Sequence, residues 1–290
     1  MVNKKTQGIL YIIIAAFGFS GMSLFVKLSG DLPAFQKAFF RNFVALIYIA
    51  VMMIKDRIPL KTKKENIPAL LGRSIAGTLG LLCNFYALGH LNLSDANMLN
   101  KLSPFFAILF SVIILGEKPN IVQIAGVAVA FLGSVFIIKP GFENASLIPA
   151  LAGALGGLGA GLAYTFVRKL GSNGENSKRI IFYFSALSCL LCLPFFVFNF
   201  APMTFLQTLY LVLAGTFACI GQLGITKAYV CAPAKEISVY DYTQVVFAAI
   251  LGFFVFGDVP DYLSIIGYVL ICGAGIVMFF YNNGKFKKAK

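Results

Sequence analysis

The chain has 290 residues, 59% of them hydrophobic and 12% charged, with a formal net charge of +13 and a mean hydropathy of +0.85. Soluble domains are about half apolar and a quarter charged, so this is the composition of a membrane protein; ten spanning helices of about 20 residues take roughly 200 residues and leave no length for a soluble catalytic domain. No G-x-x-x-x-G-K-[ST] phosphate loop occurs, which excludes an ATP-driven pump within this chain, and the basic residues punctuate apolar runs instead of forming a face beside aromatics, which excludes a nucleic-acid partner.

Apolar runs long enough to span a bilayer are predicted at 7–28, 34–54, 67–88, 94–115 and 120–138, and again at 147–167, 180–199, 204–226, 235–256 and 261–281. The first follows Lys4 and Lys5 as a signal peptide would, but the same segment recurs later in the chain, so it is expected to stay as a helix. The second carries Lys37 and Arg41, four residues apart on one face. The third carries Arg73 about a turn inside its start, then the amide of Asn84. His90 and Asp95 follow with the H-x-x-x-x-D spacing of membrane acyltransferases, in which an Asp orients a His base. Here Asp95 reads more simply as a first-turn residue favoured by the helix dipole.

The fourth run places Asn97 and Lys101 on one face and contains Pro104, a candidate kink. Arg41 and Lys101 lie two turns deep, about 10 Å at 1.5 Å per residue, where a cation needs a partner or a water-filled cavity. The sixth run is rich in glycine (Gly153, Gly156, Gly157, Gly159, Gly161), with the G-x-x-x-G spacing of closely packed helices, and continues to Tyr164. Cys189 and Cys192 form a C-x-x-C in mid-helix with no second pair, a packing feature and not a metal or redox site. Gln222 and Lys227 lie in the eighth run. In the ninth, Glu236, Tyr240 and Gln244 recur at four-residue steps as a polar stripe with Asp241 beside it. Lys37, Asp95, Lys227, Lys235 and Glu236 are near enough to helix ends to snorkel or cap.

With the N-terminus taken as cytoplasmic, seventeen Lys and Arg residues fall on the cytoplasmic side and only Lys27 and Lys139 on the other. Both termini are therefore expected in the cytoplasm, with the chain in the cell membrane.

A shift of 141 positions lays the first half on the second. Gly18 meets Gly159, Phe25-Val26-Lys27 meets Phe166-Val167-Arg168, Gly80 meets Gly221, Gly116 and Pro119 meet Gly257 and Pro260, and Gly126 meets Gly267. Charge types agree as well, Asp95 with Glu236 and Glu117 with Asp258. Units of five helices must enter the membrane from opposite sides. The expectation is an all-α fold of ten transmembrane helices in two inverted repeats, 5–139 and 146–282, followed by a basic tail at 283–290. Such repeats usually alternate access to a site near the bilayer midplane.

These features resemble the drug/metabolite transporter superfamily and its EamA-domain proteins. The resemblance rests on Leu115-Gly-Glu-Lys-Pro119, Phe256-Gly-Asp-Val-Pro260, and Gly126 and Gly267 early in the helices that follow. Arg73-x-x-x-Gly77, Phe85-Tyr86-Ala87-Leu88, Leu93-Ser94-Asp95-Ala96 and Ser103-Pro104 are similar to the branch that includes the animal solute-carrier 35 G-type proteins. The resemblance implies transport without a cofactor, through a central cavity lined mainly by the first, third, fourth, sixth, eighth and ninth helices.

Together these readings lead to a secondary active transporter of a small polar metabolite. Basic groups outnumber acidic ones inside the spans, which favours an anionic substrate such as an organic acid. Arg41, Arg73 and Lys101 would supply positive potential, and Asn84, Asn97, Tyr164, Tyr240 and Gln244 would orient the ligand. Glu236 and Asp241 are candidates for coupling to a proton, against exchange for a second solute. Asp241 is also the natural partner of Lys101, because their helices are repeat mates. The alternatives are an exporter of amino acids or drug-like amphiphiles, a passive channel, and an acyltransferase using His90 and Asp95.

Overall fold

The computed structural model describes residues 4–116, 118–138, 146–231 and 238–282. Its helices are α1 (Lys4–Leu28), α2 (Ala34–Lys55), α3 (Ile67–His90), α4 (Leu93–Asn100), α5 (Ser103–Leu115), α6 (Ile121–Ile138), α7 (Leu147–Ser172), α8 (Ser177–Phe198), α9 (Phe205–Cys231), α10 (Thr243–Phe256) and α11 (Tyr262–Asn282). Among the described residues nine stretches are long and apolar enough to cross a bilayer, α4 and α5 counting together as Leu93–Leu115, and a tenth, Tyr240–Phe256, is shorter. α7 runs about a turn beyond its predicted end. Arg168 and Lys169 stay helical there, because basic side chains suit the partial negative charge of a helix C-terminus.

Two spans expected to be continuous are broken, at equivalent points of the repeat. Between α4 and α5 the Lys101 amide is shared between the carbonyls of Asn97 (3.1 Å) and Met98 (2.9 Å), and the Leu102 amide reaches back only three residues, to Leu99 (3.1 Å). Pro104 has no N–H to offer Asn100, so the regular ladder stops there. In the ninth span a 3₁₀ turn, Ser238–Tyr242, precedes α10. Lys101 caps the end of α4 and Tyr242 the start of α10, and the two are 141 apart. The polar stripe expected along the ninth helix is corrected accordingly, since a 3₁₀ turn has three residues per turn and Tyr240 and Gln244 do not stack through it. Both broken spans end on a left-handed glycine, Gly116 (φ 67°) and Gly257 (φ 68°), a conformation that favours glycine.

The halves do not form separate five-helix lobes. α1 packs along α9 and α3 along α7, each pair joining one half to the other, while α2 packs on α8 and α6 on α11. Glycine makes the two longest contacts feasible. A Cβ on Gly18 would sit 2.6 Å from the Gly221 nitrogen, and one on Gly159 would sit 2.6 Å from the Gly80 Cα. The offset of 141 carries the first crossing onto the second, so one approximate two-fold operation relates them. Gly157 and Gly161 of α7 complete the arrangement by lying against the carbonyls of Leu99 and Ser103 (2.8 and 2.7 Å to a Cβ placed there), at the break of the fourth span. The glycines of the sixth predicted helix thus serve close packing.

Each end of the bundle is tied by polar contacts. At one end Lys27 donates to Asp258 (2.6 Å) and to the Leu91 carbonyl (3.2 Å), and Asp258 also accepts the Leu93 amide (3.0 Å). At the other, the carboxylate of Glu175 accepts from Thr62, Asn66 (2.8 Å) and Arg179, holding the loop after α2 to the loop before α8.

Candidate functional site

A cavity of about 70 Å³ lies where the two glycine crossings and the broken fourth and ninth spans converge. Arg41, Arg73, Asn84, Lys101, Tyr164 and Gln244 line it, together with Asn100, Phe184 and Gln222. Arg41 comes from α2 and Phe184 from α8, two helices beyond the six that the resemblance implied.

Lys101 and Asp241 form a buried ion pair at 2.6 Å, with side-chain exposures of 5% and 4%. The broken helices explain their places. Lys101 stands at the C-terminus of α4, where carbonyls point outward, and Asp241 stands just before the N-terminus of α10, where amides do. Each charge suits the partial charge of the helix end it occupies. Asp241 Oδ1 has no hydrogen-bond partner among the described residues.

The two arginines are in a different position. Arg41 and Arg73 are buried, and among the described residues neither has a carboxylate within ion-pairing distance. Arg41 Nη1 donates to Asn42 (2.5 Å), and Arg73 Nη2 donates to Gln222 (3.2 Å). Both guanidinium carbons also lie against the ring of Phe184, at 5.6 and 4.0 Å from its centre. Among the described residues, Nε of each and Oδ1 of Asn84 are buried without a partner. Unpaired buried polar atoms cost about 1–3 kcal/mol each, and such atoms converging on one cavity are what a ligand or bound water would satisfy.

The remaining candidates fall elsewhere. Asn97 is a tether between helices: its Oδ1 accepts from Ser23 of α1 (3.1 Å) and Gln244 of α10 (2.6 Å), and its Nδ2 donates to Leu93 (2.7 Å). Tyr240 packs edge-on against Phe279 (5.9 Å), away from the cavity lining. Glu236 lies outside the described residues. Lys37 donates to the Gly30 carbonyl (2.5 Å) at the helix end, as its snorkelling position suggested. His90 and Asp95 face different partners, the His90 ring meeting the Tyr86 carbonyl (2.8 Å) and Asp95 accepting from Tyr268 (2.7 Å). That is not the arrangement of a base and its orienting acid. All six cysteines are free thiols. Phe184 carried no signal in the sequence, being one phenylalanine among 30.

Two copies of the EamA-like transporter family profile match the chain, at residues 6–139 and 147–281. The chain belongs to the EamA-like transporter family. EamA-like proteins similar to it include the pseudopaline exporter CntI of Pseudomonas aeruginosa, 34% identical over 280 residues, which span 96% of this chain and 98% of the exporter. Human solute carrier family 35 member G1 is 25% identical, with 93% of this chain and 78% of the relative covered. A riboflavin transporter of Brucella anthropi is 24% identical, with 89% and 92% covered. One solved crystal structure shares the fold, with a TM-score of 0.71 at 17% identity over 95% of this chain and 98% of its own. This EamA-like protein is therefore a multi-pass membrane transporter and not an enzyme, built from two copies of the EamA unit.

Proposed function

We propose that this EamA-like protein is a secondary active transporter of a small, polar, anionic metabolite such as an organic acid, bound at the central cavity and passed across by alternating access. It sits in the cell membrane with both termini in the cytoplasm, the orientation supported by the basic residues of its loops. The observation that carries the substrate charge is the pair of buried guanidiniums of Arg41 and Arg73, without a carboxylate partner among the described residues. The relatives move different cargoes, so the charge of this cavity, and not descent, is the ground for choosing an anion.

The cavity of about 70 Å³ is far smaller than the roughly 300–1,000 Å³ of small-molecule sites, so loading requires the helices around it to separate. The moving bodies would be mixed bundles, with α1, α9 and α10 against α3, α4, α5 and α7, because the tight glycine crossings bind each set across the repeat boundary. Substrate can drive the change only by binding one state better than the other. Asp241 is neutralised by Lys101, so a proton-coupling role for it requires that pair to open during transport. If it does, Asp241→Asn makes uptake insensitive to a pH gradient.

Counterflow in proteoliposomes tests the reading. Labelled organic acid should accumulate transiently when the vesicles are preloaded with unlabelled acid. Flux that is indifferent to trans substrate would mark a pore, and counterflow of neutral or cationic solutes alone would overturn the anionic assignment. A reporter fused into the 56–66 loop checks the orientation and should report from the cytoplasm.

A further inference from the structure

We propose that the cavity takes a dianion, a short-chain dicarboxylate, with one carboxylate on Arg41 and the other on Arg73. The inference rests on the reading of the cavity as an anion-transport site and narrows its substrate class.

The charge balance of the cavity comes first. Three cations line it, Arg41, Arg73 and Lys101. Lys101 is matched by Asp241 at 2.6 Å, which leaves two positive charges. A monoanion would pair with one guanidinium and leave the other buried and bare, the costly situation for an ion out of water. Two carboxylates match both. Arginine suits this role, since its planar fork binds a carboxylate through two parallel hydrogen bonds.

The geometry agrees. Both guanidiniums address one ring, Phe184, with their carbons 4.0 and 5.6 Å from its centre. The two carbons can therefore be no more than about 10 Å apart, a span that suits a short molecule with a carboxylate at each end. Asn42 and Gln222 each occupy one terminal nitrogen of the arginine they touch, and among the described residues Nε is unpartnered on both.

The inverted repeat supplies an internal control. Shifting by 141 places Phe182 opposite Arg41 and Ala214 opposite Arg73. The second half thus builds the equivalent parts of α8 and α9 without charge, so the fold itself does not require a cation at either place. The arginines are departures from the symmetry of the scaffold, and both fall on the cavity.

Thermal unfolding of the purified protein in detergent tests this, with malonate, succinate and glutarate compared with propionate and with succinamate, in which one carboxylate of succinate is an amide. At least one dicarboxylate should bind about tenfold or more tightly than propionate, and succinamate should fall to the level of propionate. In Arg41→Gln and in Arg73→Gln, each checked for monodispersity, the dicarboxylate should lose its advantage over propionate. Equal binding of succinate and succinamate by the unaltered protein would overturn the proposal without any variant, and so would an undiminished preference in either folded variant. Counterflow of the same compounds separates the two layers. Dicarboxylate binding without counterflow contradicts transport and leaves the site assignment standing. Counterflow of a monoanion with no dicarboxylate preference contradicts the site assignment and leaves transport standing.

Discussion

Lys101 and Asp241 show how a buried charge is tolerated in this bundle, through a partner from the symmetry-related helix and a helix end of suitable polarity. Removing one member strands the other. Lys101→Ala should lower stability by about 3–5 kcal/mol, whereas Lys101→Met combined with Asp241→Leu should recover most of that loss, because an apolar pair needs no compensation. Detergent thermal melts of the two singles and the double measure it, and a double as unstable as the singles would show that the residues do not act as a pair. Glu175, outside the spans, has a different balance. Burial raises its pKa, but hydrogen bonds from Thr62, Asn66, the Asn176 amide and Arg179 together hold it below the usual carboxylate value. A depressed folded-state pKa means a contribution that is present above the unfolded-state pKa and lost as pH falls through the folded one. The tie between the loops flanking α2 and α8 should therefore hold at neutral pH and loosen in acid. Hydrogen exchange of residues 60–66 should rise on acidification, and Glu175→Gln should flatten that response. Sequence could nominate Arg41, Arg73 and Lys101, because a charge deep in an apolar run needs a reason. It could not separate Asn97, an interhelix tether, from Asn84, a cavity residue, since both are amides in apolar helices and only their neighbours differ.

Among the elements, the glycine crossings carry the tightest constraint. Gly18→Ala and Gly159→Ala each place a methyl group 2.6 Å from backbone atoms of the facing helix, and each should cost about 1–3 kcal/mol as the helices are pushed apart. Gly171→Ala, with nothing within 4 Å of its added Cβ, should be neutral or stabilising by up to about 1 kcal/mol from helix propensity. Thermal melts of the three variants check the contrast, and equal losses in all three would refute the packing account. The matched glycines were legible in the sequence as a register. The broken spans were legible only in part: Pro104 announces the first, but no proline or glycine lies between Ser238 and Thr243, so the second has no local signal.

For the whole molecule, the Lys27–Asp258 contact joins the ends of α1 and α10 to the start of α4, and under the proposed alternating access opening on that face would release it. The ammonium also lies 4.6 Å from the Phe256 ring. Asp258→Asn should bias the protein toward the state open on that face. The two side chains are only 18% and 14% exposed, so the pair contributes at least about 1 kcal/mol and the shift in population should be several-fold or more. A cysteine introduced at Met22 in a background without the six native thiols should then react faster with a membrane-impermeant thiol reagent from the extracellular side of the proposed orientation. An unchanged rate would remove the contact from the gating cycle.

Composition alone determined the solvent of this protein, because a chain this apolar has no stable state in water. The 141-residue register determined that five helices are used twice in opposite senses, since an odd number of crossings leaves no other arrangement. Tertiary structure decided how the copies combine. They interleave instead of standing as two lobes, because each close crossing needs a glycine from both halves at one point. It also decided which polar residues share a cavity, for that depends on the rotation and depth of helices far apart in sequence. Asp241 neutralises Lys101 only because two broken helices meet, and the charges of Arg41 and Arg73 go unmatched because no carboxylate among the described residues was brought near them.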